Sequence, residues 1–478
     1  MLFNSIDFAI FLPIVLIIYW TMAGRGKQAQ NLILLCSSLF FYACWDWRFL
    51  SLLIFSTLLD FYSAIKISQA TTRTYKKWWL ILSITINLGI LGVFKYYNFF
   101  VISFSEALSG LGLHINFWTL NILLPLGISF YTFHGLSYII DIYKDKILPE
   151  KNIICYSLFV CFFPLLVAGP IERATHLLPQ LNKPRRFSYS GAVDGLRQIL
   201  WGLFKKLVIA DKCGYYADII FNNSPSLSGS TLLLGAIFFS IQIYSDFAGY
   251  SDIALGTARL FGIDLLRNFA NPYFSRDMAE FWRRWHISLS TWFRDYLYIP
   301  LGGSKGGTLF KIRNTLIIFI VSGFWHGANW TFIFWGLLNG LYIIPLILSK
   351  KNRNNLDIVA QGKLLPSLKE LFSMMITFFL AVFGLVIFRA ENLSHAFHFI
   401  STIFSSSLFT LPTIRSGVLF LLLGIFIIVE WLGREQQYAL AALGLRWPAT
   451  LRWAAYYSIV LAIIYFAVAE KKFLYFQF

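Results

Sequence analysis

Residues 371–388, LFSMMITFFLAVFGLVIF, run for eighteen positions without one charged side chain. About 20 mostly apolar residues, rising 1.5 Å each, are what a helix needs to cross about 30 Å of hydrocarbon. Segments of similar character lie near 6–22, 31–46, 49–66, 78–102, 118–143, 153–169, 231–250, 314–348, 371–388, 417–433 and 453–469. In lipid each backbone N–H and C=O must be satisfied inside its own segment, so runs of this kind fold as helices. The chain is therefore expected to be an all-α polytopic membrane protein with about eleven transmembrane segments. Stretch 314–348 is long enough for two short crossings, with Gly323, Gly327 and Gly336 as break points. Composition agrees: 58% of residues are hydrophobic and 13% charged, against roughly 45–50% and about 25% in soluble domains.

The 40 basic and 23 acidic residues leave a formal charge of +17. The basic residues are scattered between apolar runs rather than gathered in one domain, which speaks against nucleic acid. Anionic membrane lipids and Lys/Arg-rich cytoplasmic loops account for the excess. On that rule the loop 21–30 and the Arg73, Lys76, Lys77 loop face the cytoplasm, and the N-terminus lies outside. Segment 153–169 separates two basic loops and is expected to be re-entrant, which is allowed where backbone is buried in protein. Lys471 and Lys472 leave the side of the C-terminus open. Cys36, Cys44, Cys155, Cys161 and Cys213 form no C-x-x-C pair and read as free thiols. The first twenty residues lack a basic n-region and read as a retained helix, not a cleaved leader. One integral membrane domain is expected over 1–478, with N-terminal helices in 1–150, a core in 151–350 and C-terminal helices in 351–478.

Within this apolar chain, SGFWHGANW (322–330) places His326 between glycines and tryptophans. Residues 267–313 hold eight basic side chains against Asp277, Glu280 and Asp295, and 350–370 hold five against Asp357 and Glu370. Both ends of the His326 segment therefore face the cytoplasm. His326 follows Arg313 by 13 residues, a climb of about 20 Å if helical. Ionisable groups at such depth are candidate functional sites, although polar side chains also simply bond neighbouring helices. Trp325 and Trp330 can wall a dry pocket in which a desolvated imidazole stays neutral and serves as a general base.

From 278 onward Met278, Phe281, Trp282, Trp285, Leu289, Trp292 and Tyr296 share one helical face, with Glu280, Arg283, Thr291 and Arg294 opposite. The pattern predicts a continuous amphipathic helix at the membrane surface with His286 at the edge of its apolar stripe. It equally suits a plain anchor whose histidine snorkels. PLGGSKGG (300–307) offers backbone N–H groups and Lys305 to phosphate but is no P-loop, and a flexible surface loop explains it as well. Asp246 and Asp252, in the short echo YSDFAGYSD, need partners at depth, for which Arg259 or Arg267 can serve, or a substrate. His134 is a further intramembrane histidine, while His114, His176, His395 and His398 lie near segment ends. No H-E-x-x-H, G-x-S-x-G or metal-spaced Cys/His set is present.

Taken together, YSDFAGYSDIALGTARLFGI, NPYFSRDMAEFWRRWHISLSTWFRDYLYIPLGGS and GFWHGANWTFIFWGLLNG resemble the membrane-bound O-acyltransferase family. The resemblance runs from MLFNSIDF through FRAENLSHAFHF to the terminal FLYFQF. It is strongest to the bacterial branch that acetylates alginate, and weaker to the branch that exports D-alanine to teichoic acid. It implies a helical bundle with a broken or re-entrant helix, amphipathic cytoplasmic-side helices and a tunnel between the two faces. His326 would be the catalytic histidine and His286 the second polar residue of the site. Trp325, Asn329, Arg283, Arg284, Arg294, Asp246, Asp252 and Lys305 are candidate substrate contacts. The donor would be acetyl-CoA, with no bound cofactor and no metal. A partner protein outside the cell membrane would pass acetyl to a polysaccharide, in a bacterial inner-membrane setting. At His134 this branch would be expected to carry glutamine, so no family role is carried onto it. Two rivals stand beside this reading: a transporter or flippase of acyl units, and a scaffold for an extracytoplasmic transferase.

Overall fold

The computed structural model describes residues 1–114, 118–120, 123–167, 169–414 and 416–467. Lys471, Lys472 and FLYFQF lie outside the described residues. Among these residues the chain is helical throughout, with no strand, and it divides into two compact units.

The first unit comprises Met1–Ser188 with Phe261–Leu265 and Gly327–Asn329. Its helices are α1 (Ile6–Thr21), α2 (Lys27–Asp46), α3 (Leu50–Gln69), α4 (Arg73–Leu91), α5 (Tyr97–Gly110), α6 (Ile128–Tyr143), α7 (Ile153–Cys161), α8 (Phe163–Leu166) and α9 (Ala174–Leu181). Of the predicted segment 118–143, residues 121–122 lie outside the described ones, and the helix starts only at Ile128. Gly127 precedes it at φ +72°, where a Cβ would stand 2.1 Å from the Leu166 carbonyl oxygen. Only glycine fits there. The segment expected to be re-entrant is a broken helix that turns at Phe162, with Pro164 just inside α8. Nine residues of α7 rise only about 14 Å, too little to cross, and both pieces are largely buried.

The second unit comprises Tyr189–Leu260, Leu266–His326 and the rest from Trp330. Its helices are α10 (Tyr189–Leu203), α11 (Asp211–Asn222), α12 (Gly229–Leu260), α13 (Met278–Arg284), α14 (Ile287–Phe293), α15 (Thr308–His326), α16 (Trp330–Leu348), α17 (Leu368–Arg389), α18 (Leu393–Ile403), α19 (Gly417–Leu432) and α20 (Ala449–Phe466). A π-helical turn over Phe204–Ala210 joins α10 to α11. That helical pair was not among the expected spans, because its sequence mixes charges with apolar residues. The predicted break in 314–348 falls at 327–329 alone. Gly323 and Gly336 stay helical, and each would push a Cβ to 2.2 Å from a carbonyl oxygen of the facing helix. They let α15 and α16 pack backbone to backbone.

Seven stretches are long and apolar enough to cross a membrane: Lys27–Gln69, Arg73–Gly110, Gly229–Leu260, Thr308–His326, Trp330–Leu348, Leu368–Arg389 and Ala449–Phe466. Ile6–Thr21 and Gly417–Leu432 are shorter apolar helices. The tally differs from eleven because Lys27–Gln69 merges two expected segments, Ile6–Thr21 and Gly417–Leu432 fall short, the apolar runs at 128–143 and 153–166 form short, buried pieces, and 314–348 counts as two. The molecule is a multi-pass, all-helical membrane protein.

Candidate active site

The continuous amphipathic helix expected over 278–296 is broken at its histidine. Asp277 caps α13 by accepting from the Glu280 N–H at 2.7 Å, and the helix ends at Arg284. His286 then takes φ +43°, ψ +56°, a left-handed conformation that few non-glycine residues hold without strain. α14 starts at the next residue. Side-chain periodicity continues across the junction, so the sequence pattern hides it. The apolar stripe does turn inward, with Phe281, Trp285, Leu289 and Trp292 all buried. Glu280, expected on the outer side, is only 1% exposed. It is held by Arg276 at 3.0 Å and Arg284 at 2.8 Å.

His286 is 1% exposed. Its ring meets Phe247 edge-on at 4.7 Å, Phe269 at 6.2 Å and Trp325 at 6.1 Å between centroids. It lies outside the membrane-length helices, and burial pushes its imidazole down to about 3, so the ring is neutral near pH 7. His286 Nδ1 is 3.0 Å from Asn268 Oδ1, while Nε2 finds no hydrogen-bond partner among the described residues.

His326 is the last residue of α15, at the far end of about 27 Å of uninterrupted helix. It is 4% exposed and ringed by Trp325 at 5.0 Å, Trp335 at 5.2 Å and Phe388 at 5.5 Å. Trp325 thus touches both imidazoles. Trp282 joins the enclosure through Trp335, 5.7 Å away, and its indole N–H is buried without a partner among the described residues. Trp330, expected to wall the pocket, is instead 55% exposed. Asn329 is half-buried in the 327–329 turn.

The basic candidates divide into two bonded within the protein and two exposed. Arg283 donates to the carbonyls of Asn352 and Asn355 at 3.0 and 2.7 Å. Arg284 donates to Glu280 and to the Asp357 carbonyl, and Arg276 reaches Asp357 at 2.9 Å. Arg434 adds bonds to the carbonyls of Val359, Ala360 and Lys363. These four arginines fasten the 350–367 segment, which forms a strap over α13. Arg294 is exposed and paired with its neighbour Asp295 at 2.7 Å. Lys305 is exposed in a loop whose Gly302, Gly303, Gly306 and Gly307 all have positive φ.

Asp246 and Asp252 form their ion pairs with lysines rather than with Arg259 or Arg267. Lys206 reaches Asp246 at 2.7 Å and Lys205 reaches Asp252 at 3.0 Å and Glu430 at 3.1 Å. Arg259 pairs with Asp194. His134, in the first unit, is 1% exposed and accepts from the Glu172 N–H at 3.0 Å. His176 bonds Glu172, and His395 bonds Ser224. Sequence reasoning passed over Asn268, Trp335, Phe388, Lys205 and Lys206. A lysine pair inside an apolar run was the one signal that pointed to any of them.

Two buried histidines share one tryptophan: His326 ends a helix of membrane length, and His286 sits at the junction of two short helices. The family model of the membrane-bound O-acyltransferases, MBOAT, matches residues 144–389, which contain both histidines. A probable alginate O-acetylase, AlgI, of Azotobacter vinelandii is 38% identical over 446 residues, 92% of this chain and 86% of that protein. The Pseudomonas aeruginosa protein of the same name is 40% identical over 407 residues, 85% and 75% of the two chains. A peptidoglycan O-acetyltransferase of Helicobacter pylori is 37% identical over 425 residues, 83% and 78%. The chain belongs to the membrane-bound O-acyltransferase family. It is an acyltransferase of the membrane.

Proposed function

We propose that the protein takes an acetyl group from a cytoplasmic thioester, acetyl-CoA, and delivers it across the inner membrane for O-acetylation of an extracytoplasmic polysaccharide such as alginate. The observation that carries this reading is the aromatic enclosure in which His286 and His326 share Trp325. The names of the relatives, O-acetylases of alginate and of peptidoglycan, supply the chemistry and the acceptor class. His326 takes the proton of an acceptor hydroxyl as that oxygen attacks the thioester carbonyl. The tetrahedral intermediate collapses to the ester, and the sulfur leaves as the thiol of CoA with the proton passed on from His326. His286 orients the acceptor, and Trp325 lines the approach.

Arg294 and Lys305, both exposed, attract the CoA phosphates. Arg283 and Arg284, tied to the strap, add positive potential on the same side. Asp246 and Asp252 support the helices that hold the site rather than touch substrate. A partner protein outside the membrane completes transfer to the polymer. A transporter would give no covalent turnover, and a scaffold would need no histidine pair. Purified His326→Ala supplied with radiolabelled acetyl-CoA is expected to lose on the order of 10²–10⁴-fold in acetyl transfer while staying folded. Retention of most wild-type transfer would refute the assignment.

A further inference from the structure

Asn268 grips the left-handed junction at His286 from both sides. Its main-chain oxygen accepts the Ile287 N–H at 2.8 Å. Its side-chain Oδ1 accepts from Ser288 Oγ at 2.9 Å and from the Ser288 N–H at 3.3 Å, and faces His286 Nδ1 at 3.0 Å. A backbone N–H can only donate, so the atom that Ser288 N–H meets is the amide oxygen and not the amide nitrogen. That oxygen cannot donate to the imidazole. Nδ1 therefore carries the hydrogen, and a neutral ring then holds its lone pair on Nε2. This is the buried nitrogen that lacks a partner among the described residues. A buried acceptor left unmet costs stability and calls for a reason. Phe247 and Phe269, which contact the ring, supply no donor.

We infer that Asn268 is the positioning residue of the centre: by fixing the Nδ1–H tautomer of His286, it leaves Nε2 as a hydrogen-bond acceptor for a hydroxyl of the incoming acetyl acceptor next to the one that His326 deprotonates. The inference rests on the acyl-transfer reading above. Of the two reactants, the thioester's reacting atoms carry no donor hydrogen, whereas a polysaccharide acceptor carries several hydroxyls, of which one attacks. An acceptor nitrogen beside Trp325 therefore suits a neighbouring hydroxyl of the acceptor and holds the attacking one, whose own hydrogen goes to His326, in place. The charged groups on the elements packed around His286 are bound elsewhere. Glu280 and Arg284 on α13 pair with each other, Asp246 and Asp252 on α12 pair with lysines, and Arg267 donates to the Phe269 carbonyl.

Two readouts on the full-length protein in detergent test this. The first is ¹⁵N NMR of labelled histidine, with the His286 signal assigned by its loss in His286→Gln. The Nδ1–H signature is expected in the wild type, and an Nε2–H signature would overturn the inference. The second is the pH profile of acetyl transfer from acetyl-CoA to alginate oligomers, with the extracytoplasmic partner protein supplied, in Asn268→Asp, which is nearly isosteric and so keeps the fold. A carboxylate at this position favours the imidazolium, which turns Nε2 into a donor. The acid limb should therefore move to higher pH, and the rate at pH 6 should fall on the order of 10-fold or more. A profile that superimposes on the wild type would overturn the inference. His326→Ala run alongside separates the two failures. If it keeps full turnover the acyl-transfer reading falls, whereas if it is inactive and Asn268→Asp is unchanged only the role of Asn268 falls.

Discussion

Two buried polar centres lie in the second unit, and they differ in what their ionisable groups meet: counter-charges in one, aromatic rings in the other. Around Lys205 every carboxylate oxygen is met. Asp252 takes Gln198 on one oxygen and Lys205 on the other, and Glu430 takes Lys205 and Trp201 on one and Tyr244 on the other. Around His286 and His326 the neighbours are aromatic, and the His286 Nε2 and the Trp282 N–H stay without partners among the described residues. The network around Lys205 ties α10, α12 and α19 together with its charges paired, and only the Gln198 Oε1 is unmet among its members in the described residues. The centre around the histidines keeps bonding capacity in reserve, at a cost in stability, for a molecule that arrives later.

The sharpest way to break this contrast is to truncate each centre in turn. His326→Ala should remove on the order of 10²–10⁴-fold in transfer with little change in the unfolding midpoint. Glu430→Leu should do the reverse. It strips Lys205 of one counter-charge and leaves the Trp201 and Tyr244 donors unmet, a loss of about 3–5 kcal/mol by analogy with broken buried pairs. Thermal unfolding in detergent would show it, with the rate per folded molecule nearly unchanged. If Glu430→Leu instead lost activity at full stability, the charge-paired centre would have to be counted as part of the site.

A finer test uses pH. The folded-state pKa of His286 is depressed to about 3, below an unfolded value near 6.5. Between those values the unfolded chain binds the proton and the native chain does not. Stability from this residue is thus intact above pH 6.5 and is lost as pH falls toward 3. Relative to His286→Gln, the wild type should lose about 1.4 kcal/mol for each pH unit below 6.5, as read from unfolding curves. Parallel curves for the two proteins would contradict it. The smallest effect is expected at Lys305, exposed in its loop. Lys305→Gln should raise KM for acetyl-CoA by about 2–5-fold at low salt and less at high salt.

Much of this was legible because lipid imposes simple rules. Apolar runs gave helices, and the glycine after His326 coincides with a helix break. What stayed hidden had physical causes. α10, the π-helical turn after it and α11 carry Asp194, Arg197, Lys205, Lys206, Asp211 and Lys212, and pairing of charges inside the unit is what makes such a segment stable. The break at His286 leaves no mark on a helical wheel, since one left-handed residue barely shifts the apolar stripe. Asn268 sits in a polar connector and resembles any loop asparagine until its oxygen is seen against Nδ1. The strap was read only as cytoplasmic charge, because its anchors are backbone carbonyls, which no sequence displays.

The left-handed junction at 286 also narrows which residues evolution can try there. Among side chains with a Cβ, asparagine, aspartate and histidine tolerate that backbone best. Each of them can place a polar atom in the pocket. Exchange within this trio leaves the main chain at ease while altering proton affinity, so the chemistry at this position can be retuned without refolding the scaffold around it.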